Sequence, residues 1–119
     1  MKSLKQIAQE TSTLSKLMQD REKMSTEELL NKDITIIQFD SYVNTESGEI
    51  IYVFVTREHL NNFTFAGAIL KKYFMAFEEE CKKENVDVND YMVSQGGLKV
   101  KLTEGKTKQG RSITNVVLL

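Results

Sequence analysis

Two long runs of β-branched and aromatic residues, ITIIQFDSYV after Asp33 and EIIYVFVT from Glu49, flank the turn-forming TESG. Such residues favour the pleated surface of a strand, and the turn chemistry between them makes a β-hairpin. In the second run Ile51, Val53 and Val55 share one face, and Ile50, Tyr52 and Phe54 share the other. Neither face is plainly polar. The hairpin therefore sets the class of the fold as mainly β.

The residues after the hairpin fix the order of elements. Residues 62–65 read as a short third strand with Phe63 and Phe65 pointing the same way. Ala66, Ile69, Leu70, Tyr73, Phe74, Phe77 and Cys81 then mark the apolar stripe of a helix, opposite Lys71, Lys72 and the run from Glu78 to Glu80. That helix is expected to end near Glu84 and Asn85, where NVDVND reads as a loop. In LKVKLTEGKTKQGRSITNVVLL, Leu98, Val100 and Leu102 alternate with Lys99 and Lys101, a glycine-bearing loop comes next, and the chain returns over residues 112–118. This is a second hairpin.

Ahead of the first hairpin, Leu4, Ile7, Thr11, Leu14 and Met18 recur at alternating spacings of three and four, one stripe of an amphipathic helix. Ser25 with Glu28 three residues on is a capping-box pattern that predicts a short helix over 26–31. Residues 1–32 thus read as an N-terminal helical arm and 33–119 as one domain. The arm is a lid on the domain, a frayed extension, or an oligomerisation seam through Leu4, Ile7, Leu14 and Met18, whose spacing also fits heptad a and d positions. The expected fold is α+β, mainly β: a five-stranded OB-fold-like antiparallel barrel with a helix between strands three and four. Other α+β folds share that order.

Composition bounds the function. The 119 residues, 40% hydrophobic and 28% charged, suit one ordinary globular domain. No run approaches the roughly 18 apolar residues of a membrane-spanning helix. The N-terminus has no apolar core or cleavage site of a secretory signal, and the lone Cys81 fits a reducing compartment, so the expectation is a soluble cytoplasmic protein. His59 has no partner at metal-ligand spacing, and Cys81 falls in the apolar stripe of the helix. Glu78, Glu79 and Glu80 are consecutive and fan around a helix, while Gly96 and Gly97 precede a strand and read as a turn. No catalytic residue, metal ligand or cofactor site is expected, and the chain is not read as an enzyme.

The charge is more telling. The net charge is only -1, yet residues 98–111 carry Lys99, Lys101, Lys106, Lys108 and Arg111 against the single Glu104. Clustered cations of this kind make either an anion-binding surface or a solubilising loop.

From Asp33 to Leu118 the chain resembles the small single-stranded-DNA-binding proteins of bacteriophages and prophages of Gram-positive bacteria, through DITIIQFD, FTFAGAILKKYF and LKVKLTEGKTKQGRSITNV. The resemblance implies an OB-fold, sequence-tolerant binding of single-stranded DNA, and a role in phage replication or recombination, with proteins of those processes as partners. The chain ends in VVLL in place of a glycine- or acid-rich tail, so recruitment through such a tail is not expected. Binding a flexible strand needs cations for phosphates and flat side chains for bases. OB-folds commonly bind across strands two and three and through the loops joining strands one to two and four to five. The candidate nucleic-acid-binding residues are therefore Tyr52, Phe54, Arg57, Phe63, Phe65, Lys99, Lys101, Lys106, Lys108 and Arg111. The competing reading is a protein-interaction module that assembles through the N-terminal helix and ignores nucleic acid; a nuclease on the same scaffold is a further alternative.

Overall fold

The structure, a computed structural model, describes Leu4 and residues 16–119. A single-turn helix α1 (Lys16–Gln19), a short strand β1 (Glu22–Lys23) and a 3-10 turn (Thr26–Leu29) lead into the first hairpin, β2 (Asp33–Val43) and β3 (Ile50–Thr56). Strand β4 (His59–Phe65) returns beside β3 and is longer at its start than the alternation of residues 62–65 suggests. Helix α2 (Ala68–Lys83), helix α3 (Val88–Ser94) and the second hairpin, β5 (Leu98–Lys106) and β6 (Ser112–Leu118), complete the chain.

The fold is α+β and mainly β, but the sheet differs from the expected barrel. Among the described residues six strands form one sheet in the order β1-β4-β3-β2-β5-β6, antiparallel except for the parallel β1–β4 pair. The sheet is open, and the sixth strand is β1. Two residues carry too little alternation to be read as a strand from sequence.

Strand β2 serves two partners. Asp33 to Ile36 pair with β5, Ile36 to Val43 pair with β3, and the register shifts between Ile36 and Gln38. A bulge there bends the strand and raises its twist. Past the bulge, α3 takes over from β5. Asn89 Oδ1 accepts from the Phe39 N–H at 3.0 Å, and Asn89 Nδ2 donates to the Phe39 carbonyl at 3.1 Å. The amide side chain thus stands in for a strand, meeting groups that would each cost about 1–3 kcal/mol if buried unmet. Helix α2 ends where expected and residues 85–87 are the expected loop, but the last three residues of NVDVND open α3: the Asp87 side chain caps it, accepting from the Asp90 N–H at 3.0 Å.

The inner face of the sheet carries Ile34, Ile36, Phe39, Tyr52, Phe54, Val100 and Leu102, covered by Leu70 and Phe74 of α2, Met92 of α3 and Leu29 of the 3-10 turn. Phe74 stacks on Phe39 with centroids 4.2 Å apart. The stripe read in α2 is the stripe that is buried.

One contact shows how the sheet curls. A Cβ placed on Gly67, two residues beyond β4, would lie 3.7 Å from the Thr114 Cβ of β6. Gly67, between β4 and α2, therefore touches β6 at Thr114, and no ladder joins β4 to β6 among the described residues. The N-terminal segment spans from β4 to β5: the Met24 N–H donates to the Phe63 carbonyl at 2.8 Å, and the Asn31 N–H to the Leu102 carbonyl at 2.7 Å. Ser25 caps the 3-10 turn between them, its side chain accepting from the Glu27 N–H at 3.2 Å. The expected helical arm is thus, where described, a strap of helix, strand and 3-10 turn laid on the sheet.

Candidate functional site

The sheet is apolar on its outer face as well. Val53, Val55 and Phe63 form a second cluster there, sealed by Leu17 of α1 and flanked by Met18, Ile37, Tyr42 and Phe65. Leu17 is 3% exposed. Burying a leucine side chain contributes about 1.5–3 kcal/mol. Arg21 adds two hydrogen bonds, Nε to the Leu60 carbonyl at 2.9 Å and Nη1 to the Leu17 carbonyl at 3.1 Å. Of the four residues read as an oligomerisation seam, Leu4 is exposed and Met18 is half-buried on this face; Ile7 and Leu14 lie outside the described residues. Leu17, which the stripe omits, is the buried one.

The sequence-derived aromatic candidates divide. Tyr52 and Phe54 are corrected from ligand-facing to core: they are 5% and 1% exposed and face α2. Alternation fixes which residues share a face but not which face turns inward, and α2 decides that. The Tyr52 hydroxyl donates to the Glu78 carboxylate. Burial first, then that hydrogen bond and the Glu78 charge, push the Tyr52 hydroxyl well above its usual pKa. Phe63 is on the outer face but buried beneath Leu17. Phe65 remains half-buried at the end of β4, edge-on to Phe63 at 5.8 Å and 86°. Lys23 Nζ lies 5.1 Å from the centroid of the Phe65 ring. Lys23 and Tyr42 escape the sequence pattern for different reasons. Lys23 sits in an unreadable two-residue strand, whereas Tyr42 shares the Gln38, Asp40 parity of β2 and needs only the inward face to be known.

The cations form two groups. Lys106, Lys108 and Arg111 are exposed at the tip of the second hairpin, where the Thr107 N–H donates to the Arg111 carbonyl and the Gly110 N–H to the Thr107 carbonyl, both at 2.9 Å. Gly110 has φ +79, which closes this tight turn. Lys99 and Lys101 lie two apart on β5 and so on one face. Lys101 pairs with the exposed Asp33 at 3.5 Å, a contact of small energy. Arg57, at the β3–β4 turn, joins Lys99 along an open groove of about 630 Å³ that also borders Gly97 and Leu118. Arg57 Nη2 donates to the Gly96 carbonyl at 3.0 Å.

The Gly67–Thr114 contact relates the groups. Thr114, against Gly67, is two residues from Ser112, which pairs with Lys106. At about 3.3 Å per residue, Ser112 lies roughly 7 Å along β6 from that contact, and Phe65 is two residues before Gly67 on its other side. Tyr52 and Phe54 are not part of this assembly.

Elsewhere, Cys81 is buried and His59 is half-buried at the start of β4. Among the described residues no group of three His, Cys, Asp or Glu side chains is placed to hold a metal ion, and no helix is long and apolar enough to cross a membrane. Compared with known proteins, the chain matches no family model, no curated protein and no solved structure.

Proposed function

We propose that this protein binds single-stranded DNA with little sequence preference, on an OB-fold-like sheet left open between β4 and β6. The support for that fold reading is connectivity: β2, β3 and β4 adjacent, α2 after β4, and β5 pairing back to the start of β2. This is the order of a partly open five-stranded barrel, to which β1 adds an edge. The observation that supports the functional reading is the Gly67–Thr114 contact, from which the half-exposed Phe65, neighboured by Lys23, and Ser112 at the start of β6 are each two residues removed. A flat ring together with exposed cations is the combination that holds a base and its phosphates. The likeness to phage single-strand binders supports a role in phage or prophage DNA replication or recombination. Fluorescence anisotropy with labelled oligo-dT and with a hairpin duplex of equal length tests the reading. Tighter binding of oligo-dT is expected; equal affinity for both removes it.

A further inference from the structure

We propose that two copies of this protein pair about a two-fold axis near Leu98, each seating Leu118 and Leu119 in the apolar pocket that α2 and α3 of the other form beside β5. The pairing is independent of the DNA-binding reading above.

Hole and knob share one side of the sheet. The pocket, about 170 Å³, is lined by Phe77 of α2, by Val88, Tyr91 and Met92 of α3, and by Leu98 at the start of β5. An apolar cavity of roughly 150 Å³ accepts a benzene ring, so this one accepts a leucine side chain. Tyr91 in its wall is 50% exposed. The knob is on β6. Leu118 pairs with the fully buried Val100 and by strand parity points to the side that α2 and α3 cover, yet Leu118 is 60% exposed and Leu119 59%. The Leu119 N–H donates to the Lys99 carbonyl at 3.0 Å, which orders both leucines before a partner arrives. Groups held in place beforehand lower the cost of association.

The occupant follows from the order of these parts. The open groove that Leu118 and Leu119 line shares Gln95, Gly97 and Leu98 with the pocket, so knob and hole flank those three residues on one continuous surface. A two-fold axis through that shared middle carries the knob of each copy onto the hole of the other, and both contacts close at once. The charges agree with the exchange. On the pocket side, residues 78–90 hold Glu78, Glu79, Glu80, Glu84, Asp87 and Asp90 against Lys82 and Lys83. The groove side carries Arg57 and Lys99, while its neighbours Glu58 and Lys101 are engaged, by the Thr35 N–H and by Asp33. The axis sets the acidic side of one copy against the basic side of the other, which favours this partner and this register. Lys106 is eight residues from Leu98, roughly 26 Å along β5, so the dimer leaves the tip of the basic hairpin exposed. A DNA strand that ran along Arg57 and Lys99 would compete with the second copy.

Sedimentation of the full chain over a range of concentrations reads the pairing. Wild type is expected to pass from monomer to dimer. Leu118→Asp in the knob and Tyr91→Asp in the wall of the hole are each expected to raise the dissociation constant by at least about tenfold. Both side chains are exposed in the single chain, so the circular dichroism spectrum is expected to stay that of wild type. A crosslink maps the contact. Leu118→Cys and Tyr91→Cys chains are expected to give covalent dimers under mild oxidation when mixed and none when kept apart, because the axis sets each thiol against the other kind; Cys81 is buried and common to both. A wild type that is monomeric at every concentration overturns the proposal and leaves the leucines to another occupant. A dimer that either Asp variant leaves intact, or a mixture that yields no covalent dimer, overturns it too and moves the pairing to another surface, such as the N-terminal stripe.

Discussion

The hydroxyl of Tyr52 on β3 donates to the carboxylate of Glu78 on α2, tying the helix to the inner face of the sheet. The ring sits 6.2 Å from Phe39 and 6.0 Å from Phe74, so Tyr52 is a polar-tipped member of the core. A tyrosine on strand two of such a sheet looks from sequence like a stacking platform. Here it anchors the helix that closes the opposite side.

That anchor makes stability depend on alkaline pH. Burial, with the Glu78 hydrogen bond and charge behind it, raises the pKa of Tyr52 in the folded chain above its unfolded value of about 10. The sign is set by linkage. The contribution is fully present below the unfolded pKa and is lost as pH rises above it, since the unfolded chain then gives up a proton the folded chain retains. The melting temperature is expected to fall above about pH 10 in wild type and to fall less in Tyr52→Phe. At neutral pH the same substitution is expected to cost about 1.5–2 kcal/mol in urea unfolding, the lower part of the range for a hydrogen bond to a charged group, because Glu78 is only half-buried. Equal pH profiles for the two proteins contradict the linkage.

Gly97 ties the α3–β5 turn to the bulge of β2. Its φ is +85, and a Cβ there would lie 2.6 Å from Thr35 Cγ2 and 2.8 Å from the Ile36 carbonyl oxygen. Both the backbone conformation and the space demand glycine. Gly97→Ala is expected to destabilise the fold by about 2–4 kcal/mol, from a strained φ together with overpacking against backbone. Gly110 is the control: its φ is +79 with nothing within 4 Å of the added Cβ. Gly110→Ala is expected to cost about 1–2 kcal/mol, the conformational penalty alone. Chemical denaturation of the two variants measures the difference.

Much of this fold is legible in the residues that build it. The two hairpins and α2 come from alternation and from the stripe through Leu70, Phe74 and Cys81, all buried as expected. The misses have physical causes. Strand β1 is too short for any period to show, and its partner β4 is some forty residues away. Helix α3 opens in a sequence rich in turn residues, and what retains it is a tertiary demand, the unpaired Phe39 backbone that Asn89 meets. The site is half legible for a related reason. Positive charge clusters in sequence, so the hairpin tip is readable, whereas the inward face of β3 is chosen by α2 and no local rule contains it. That choice takes Tyr52 and Phe54 into the core and leaves Phe65 at the end of β4.

Phe65 is therefore the aromatic position to test. Its ring is half-buried and lies next to Lys23. Phe65→Ala is expected to lower affinity for oligo-dT by roughly 1–3 kcal/mol, the usual value of one stacked base, with little change in salt dependence. Tyr52→Phe is expected to leave affinity unchanged, because that ring never leaves the core. Anisotropy titrations at two salt concentrations distinguish them. A loss in Tyr52→Phe with none in Phe65→Ala reverses the assignment of faces.

The basic hairpin makes the sharpest quantitative demand. A cation that touches phosphate releases condensed counterions on binding, and on single strands each contact contributes about -0.7 to the slope of log affinity against log salt. Lys106, Lys108 and Arg111 are exposed at one turn, and the hydrogen bonds that shape this turn join the backbone of Thr107 to the backbones of Gly110 and Arg111. Replacing the three side chains by alanine therefore removes charge while the turn keeps its form. Binding is expected to weaken for every sequence tested, and the magnitude of the slope to drop by up to about 2. Lys101→Ala is expected to change it less, since Asp33 at 3.5 Å already offsets part of that charge. A triple variant that stays folded and binds with unchanged affinity and slope shows that the tip serves solubility, and the path of the strand must then be sought along Arg57 and Lys99 on the open groove.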